Sequence, residues 1–290
     1  MLVGVLAVAG CTSTDSQAGG RHTTAGAPRQ SESPHRAQGK QGDGRKHAAD
    51  EPTTADDPAT LERDHEPLAT TITAAHAVVR RIPDRQWKRI VHVGAWRPGC
   101  PAGRSQLRRI DVNYVNFSGE VRRGTLVVNR DVASSVSRVF TRLFEERFPI
   151  RKMIPVERFG GDVNKSLAAD NTSAYNCRQL NQINAPVPES PHANGRAIDI
   201  NPRENPWTDL RCDCWLPSPR NREREPGAGV ILKHGMVWRL FHREGWVWQD
   251  IDVPDYMHFD TGYPSRHYRG PAANIRMLRR QERREHHHHH

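Results

Sequence analysis

Two short stretches hold the side chains in this 290-residue chain that are best suited to chemistry. The first is SPHANGRAIDINP, residues 190–202, in which Asp199 sits inside an apolar Ala-Ile-Asp-Ile run. A carboxylate there needs a partner, because an unpaired charge away from water is costly. In an extended run Ala197, Asp199 and Asn201 face one way, and Ile198 and Ile200 face the other. The apolar pair belongs in a core, which turns Asp199 toward a cleft. His192 lies seven residues earlier, and Gly195 between them permits a sharp return of the chain. The second stretch is VPDYMHFDTG, residues 253–262. As a strand it places Tyr256, His258 and Asp260 on one face, with Met257 and Phe259 on the other. Two adjacent strands of this kind bring His192, Asp199 and His258 together. Two imidazoles and one carboxylate, with a fourth position left for water, are the donor set of a catalytic zinc site. Asp255 stands three residues before His258, on the opposite face of a straight strand. The turn expected at Pro254 aims it back as a general base.

The elements that must position these groups read as α+β, a small antiparallel sheet flanked by helices. Residues 68–82 carry Leu68, Ile72, Ala75, Val78 and Val79 on one helical face. Residues 96–129 read as a meander that turns at Gly119. Residues 135–150 are an amphipathic helix with Val136, Val139, Phe140 and Phe144 on its apolar side, stopped by Pro149. Strands are expected at 197–200 and 256–259, a helix at 230–244 weakened by Gly235, and a basic helix at 272–285.

Composition sets the surroundings. Lys and Arg number 43 against 33 acids, a net charge of +10, and only six of the bases are lysine. Such a chain expects an anionic neighbour. A nucleic-acid partner is not expected, because the arginines are scattered and the N-terminus reads as an export signal. MLVGVLAVAGC resembles the end of a bacterial lipoprotein signal, with Cys11 as the lipidated residue and no basic n-region before it. Eleven residues cannot span a bilayer, so the expected anchor is lipid on Cys11 at the outer face of the plasma membrane. Residues 12–66 have almost no large apolar side chains and read as a disordered tether. The folded domain is expected over 67–271, as a monomer, with the five terminal histidines, 286–290, read as a purification tag. Cys100, Cys177, Cys212 and Cys214 make an even set suited to two disulfides. Cys212 and Cys214, with only Asp213 between them, are each expected to reach a distant partner. A cysteine zinc site is the rival reading.

The motif from His192 to Asp199, followed by Asp255-Tyr-Met-His258-Phe, resembles zinc peptidoglycan peptidases. These are the VanY-like D-alanyl-D-alanine carboxypeptidases and the related L-alanyl-D-glutamate endopeptidases. The likeness runs from about Trp96 to Gly262 and includes the Asn-Cys-Arg that ends at Arg178. It implies a hedgehog/D-Ala-D-Ala-peptidase-like zinc domain acting on peptidoglycan stem peptides. It further implies Zn2+ on His192, Asp199 and His258, with Asp255 as the base. Arg178 would clamp a substrate carboxylate or carbonyl, with Arg151 as its alternative. Trp246, Trp248 and Tyr256 are expected to wall the cleft, with core packing the alternative for either tryptophan. The carboxypeptidase reading leads; the endopeptidase, and a metal-containing binding module without catalysis, are its alternatives. Ser-x-x-Lys, His-Glu-x-x-His and Gly-x-Ser-x-Gly are all absent.

Overall fold

A computed structural model describes residues 73–177, 187–249 and 253–287. Its longest ordered feature is the hairpin of β2 (Leu107–Val115) and β3 (Val121–Asn129), preceded by β1 (Val78–Arg80) and the helix α1 (Asp84–His92). The two long strands pair antiparallel over their full length, Leu107 opposite Asn129 and Val115 opposite Val121. Ile110, Val112 and Tyr114 alternate into the core, as a half-buried strand requires. Gly119 makes the expected turn, in the left-handed conformation.

β1 corrects the helical reading of residues 68–82. Val78 to Arg80 form the edge strand of a three-stranded sheet, paired antiparallel with Asp111 to Arg109. Val78 and Val79 are exposed instead of core-facing. Their β-branched side chains favour extended backbone. The backbone N–H of Asn113 donates to the Ala75 carbonyl, and the Arg80 guanidinium reaches buried Asp111 at 2.8 Å. Leu68 and Ile72 lie outside the described residues, as do the Cys11 and tether regions.

Helix α2 (Ala133–Glu145) covers the sheet with Val136, Val139, Phe140, Leu143 and Phe144. It ends four residues before Pro149, and Arg147 takes a left-handed conformation after it. The chain then passes through β4 (Lys152–Met153), a 3-10 turn (Val156–Phe159), α3 (Val163–Ala168) and β5 (Asn171–Thr172), with β4 and β5 parallel.

The second sheet carries the chemistry. It contains β6 (Ala197–Asp199), β7 (Trp207–Asp209), β8 (Cys214–Leu216), β9 (Val247–Gln249) and β10 (Asp255–Asp260), with β10 pairing with β6, β7 and β9. Helix α4 (Met236–Arg243) precedes β9, and α5 (Pro271–His287) closes the described chain. The expected helix over 230–244 therefore begins only at Met236, because Gly235 is extended at its N-cap. Ile198, Ile200 and Phe259 join the α2-covered core, so the apolar backs of β6 and β10 fix which way their polar residues face.

The disulfides also correct an expectation. Cys100 pairs with Cys177, whereas Cys212 pairs with its near neighbour Cys214. Asp213 between them adopts a positive φ of 49° at the tip of the β7–β8 hairpin, which folds the chain back on itself. Each of the four cysteines is thus in a disulfide, which leaves no thiol among them for a cysteine zinc site.

Candidate metal centre

His192 sits in a tight loop held by its own backbone. Gly195 N–H donates to the His192 carbonyl at 3.0 Å, and Arg196 N–H to the Pro191 carbonyl at 2.8 Å. Gly195 has a φ of +69°, and a Cβ there would lie 2.7 Å from the Asn129 backbone nitrogen. Only glycine satisfies both the conformation and the close approach to β3. Arg196 secures the loop from outside by donating to buried Asp131 through Nε and Nη2.

Asp199 and His258 are direct cross-strand partners on β6 and β10. A second extended segment flanks Asp199: its N–H and carbonyl both bond to Ser173, at 2.9 and 3.0 Å. One residue further on, the Ala174 carbonyl accepts from His192 Nδ1 at 2.7 Å. That bond leaves the Nε2 lone pair of His192 pointing at the other two side chains. His258 is fixed in the opposite sense, with Nε2 donating to Asp260 at 2.9 Å and Nδ1 turned inward.

Three atoms consequently converge: His192 Nε2, Asp199 Oδ1 and His258 Nδ1. Their separations are 3.0 Å between the imidazoles and 3.2 and 3.1 Å to the carboxylate. A tetrahedral zinc with bonds of about 2.0–2.1 Å needs ligand atoms about 3.3 Å apart. The triangle is slightly tighter than that and otherwise matches it. All three residues are buried. Electron-rich atoms this close require a proton or a cation among them. Without metal, burial opposes charge on Asp199, but His192 and His258 outweigh it and hold its carboxyl well below the usual range. Burial likewise opposes the His258 cation, and Asp199 and Asp260 overcome it, so the imidazole binds its proton unusually tightly. A divalent ion is the natural replacement for that proton.

Alternation alone lets Asp260 either end its strand or tune a ligand. The structure places it against His258. Its carboxylate also accepts from Gln249 Nε2 at 3.0 Å and from the Gly262 N–H at 2.6 Å. A carboxylate behind a ligating imidazole fixes its tautomer and orientation. The alternation of β10 was a usable pointer, since Asp260 and His258 are two residues apart. Gln249 comes from β9 and left no mark in the sequence.

β10 is not a straight strand. Its register against β9 slips between Asp255 and Phe259. Tyr256 consequently packs with the core side, its ring 5.8 Å from Trp248 and stacked at 5.7 Å on Trp215. This corrects the expectation that Tyr256 shares a face with His258. The same slip removes the parity that would separate Asp255 from His258. Asp255 opens β10 opposite both Gln249 and Trp207.

Of the expected cleft walls, both tryptophans take the core alternative. Trp248 is buried, with its indole N–H donating to the Tyr256 carbonyl, and Trp246 is buried against Ser135. Both pack in the core. Arg151 is spent on Asp170 and Glu204, at 2.9 and 3.1 Å. Arg178 lies outside the described residues, immediately after Cys177, which is held by Cys100 and by Arg97 donating to its carbonyl.

Residues 184–261 match a family model described as D-alanyl-D-alanine carboxypeptidase. The match takes in His192, Asp199, Asp255 and His258 together, so the resemblance to this peptidase family is shown over the segment that builds the centre. No curated protein and no solved structure matches the chain.

Proposed function

We propose that this chain is a zinc-dependent D-alanyl-D-alanine carboxypeptidase acting on peptidoglycan stem peptides. The observation that carries the reading is the inward-facing donor triangle of His192, Asp199 and His258 within a segment matching that family. The small sheet of β6 and β10 supports a hedgehog-like zinc domain as the finer description of the fold.

Zinc in the triangle supplies Lewis acidity toward the scissile carbonyl and toward water. The chain's own residues do the rest. Asp255 accepts a proton from the attacking water and delivers it to the leaving amine. Asp260 holds His258, and the Ala174 carbonyl holds His192, so neither imidazole has to reorient during turnover. Arg178, following the pinned Cys177, supplies a two-pronged donor for the substrate's terminal carboxylate. Lipid on Cys11 and the 12–66 segment place the domain at the outer face of the membrane, within reach of the wall.

The test is mass spectrometry of products from a defined pentapeptide stem, with zinc, with chelator, and with zinc restored. Release of terminal D-Ala that chelator abolishes and zinc restores is the expected result. Asp255→Asn keeps one zinc per chain and loses about 10²–10⁴-fold in kcat. Cleavage between L-Ala and D-Glu instead makes the protein an endopeptidase. Zinc retained with no cleavage of any stem makes it a binding module.

A further inference from the structure

The C-terminal helix α5 is used by neither the centre nor the core beyond one of its faces. Between Arg266 and Arg284 the chain carries seven arginines, no lysine and a single carboxylate, Glu282. The helix is docked in a fixed rotation. Asn274 is buried and donates to the Gly245 and Thr261 carbonyls at 2.6 and 2.9 Å, and Gln281 donates to the Tyr263 carbonyl. A Cβ on Gly262 would touch Met277 and Leu278 at 3.3 and 3.4 Å, which shows how closely this face packs.

With that face inward, the opposite one is set. At 3.6 residues per turn Arg276, Arg279, Arg280, Arg283 and Arg284 fall within an arc of about 140° and along about 12 Å of axis. All five are exposed, and among the described residues none is ion-paired. Five cations in a row repel one another, which weighs against the helix unless something anionic offsets it. No large apolar side chain interrupts the stripe, so it lacks the wedge with which an interfacial helix enters a bilayer. Arginine's fork grips phosphate oxygens in pairs, which suits it better than lysine to a chain of phosphates.

We infer that the exposed face of α5 is a docking stripe for a linear, flexible phosphodiester polyanion of the cell wall. The helix is tied to the site strand from its buried face, since Asn274 bonds the residue that follows Asp260. Docking there would hold the domain against the wall while the centre meets stem peptides. The choice of a wall polymer rests on the proposed function, while binding to a phosphate polymer is measured apart from cleavage, so the two can fail separately.

The test uses the full chain freed of its five terminal histidines and measures binding to poly(glycerol phosphate) against salt. Neutralising five phosphates gives a log–log slope near −3.5 and about 10²-fold weaker binding between 50 and 200 mM salt. R276Q/R280Q/R283Q lowers the magnitude of that slope by about 2 and weakens low-salt binding by at least about tenfold, with pentapeptide cleavage unchanged. Should that variant misfold by circular dichroism, R276K/R280K/R283K takes its place, expected to keep the slope and bind several-fold more weakly. An unchanged slope in the glutamine variant overturns the inference. So does binding to polyglutamate, anionic vesicles or duplex DNA that equals or exceeds binding to the phosphate polymer.

Discussion

Two groups of acids each gather carboxylates from distant positions around a nitrogen base, and only one is arranged as a metal centre would be. Asp199 and Asp260 flank His258, whereas Asp170 and Glu204 share the guanidinium of Arg151. Both groups carry two carboxylates and a nitrogen base. The difference lies in where the lone pairs point. At the first, each imidazole is bonded on its far side, to Ala174 or Asp260, and so turns a bare nitrogen inward. At the second, the base is an arginine that brings its own charge and only donates. Its plane lies 4.0 Å over the Phe117 ring, and Asp170 also accepts the Arg203 N–H at 3.0 Å. The arginine already occupies the place a cation would take. Acid count alone therefore says little; the outward partners distinguish the candidate metal centre.

The sharpest way to break this comparison is to remove one acid from each group. Asp199→Ala opens the donor triangle, and the expected zinc content falls from one per chain to near zero. Asp170→Ala leaves zinc content at one and costs about 1–3 kcal/mol of stability through the bonds lost by Arg151 and the Arg203 N–H. Elemental analysis of untagged protein, beside denaturant unfolding, separates the two. Zinc lost equally from both variants would mean that the second group also supports the metal.

A smaller effect addresses the outward partner. Asp260→Asn keeps the size of the side chain but replaces one carboxylate oxygen with an amide nitrogen, so His258 is held less firmly in the tautomer that bares Nδ1. The expected result is zinc affinity weaker by about 10–100-fold, read by competition with a chromogenic chelator. Glu204→Gln, beside Arg151, leaves that affinity unchanged. Equal affinity in the Asp260 variant would reduce its bond to His258 to packing.

How much of this was legible in the sequence follows from the same distinction. The triangle was readable, since alternation fixes the faces of 197–200 and the apolar residues beside Asp199 and His258 leave those two a single direction. The β2–β3 hairpin and the buried face of α2 followed from periodicity for the same reason. Legibility failed where local pattern and tertiary pairing compete. Ala75, Val78 and Val79 suit a helical face as well as a strand, and the exposed edge of β2 decided for strand. The slip in β10, which sends Tyr256 toward Trp248, depends on how β9 pairs, and alternation within one strand carries no record of its neighbour. The Cys212–Cys214 pairing rests on a positive φ at Asp213 that the type of residue permits without requiring. Asp170 and Glu204 are 34 positions apart and carry no motif at all.

The second group makes the last prediction, because it is short of one positive charge. Burial raises the Glu204 carboxyl first, and the neighbouring carboxyl of Asp170 raises it further, against the pull of Arg151; together they push it up to about 7. The unfolded chain releases this proton near 4.5. Between those values the folded protein binds more protons than the unfolded one, so stability falls as pH rises. The contribution is fully present below pH 4.5 and is lost as pH climbs through about 7. Glu204→Gln retains a neutral donor toward Asp170 and does not titrate. The expected outcome is a shallower decline of Tm from pH 4.5 to 7.5 in this variant, with the difference between the two zinc-loaded proteins growing across that window. The donor triangle is common to both proteins, so its contribution cancels in the difference. Parallel curves would show that Asp170 and Glu204 share their arginine without sharing a proton, and that the two acid groups differ less than their geometry implies.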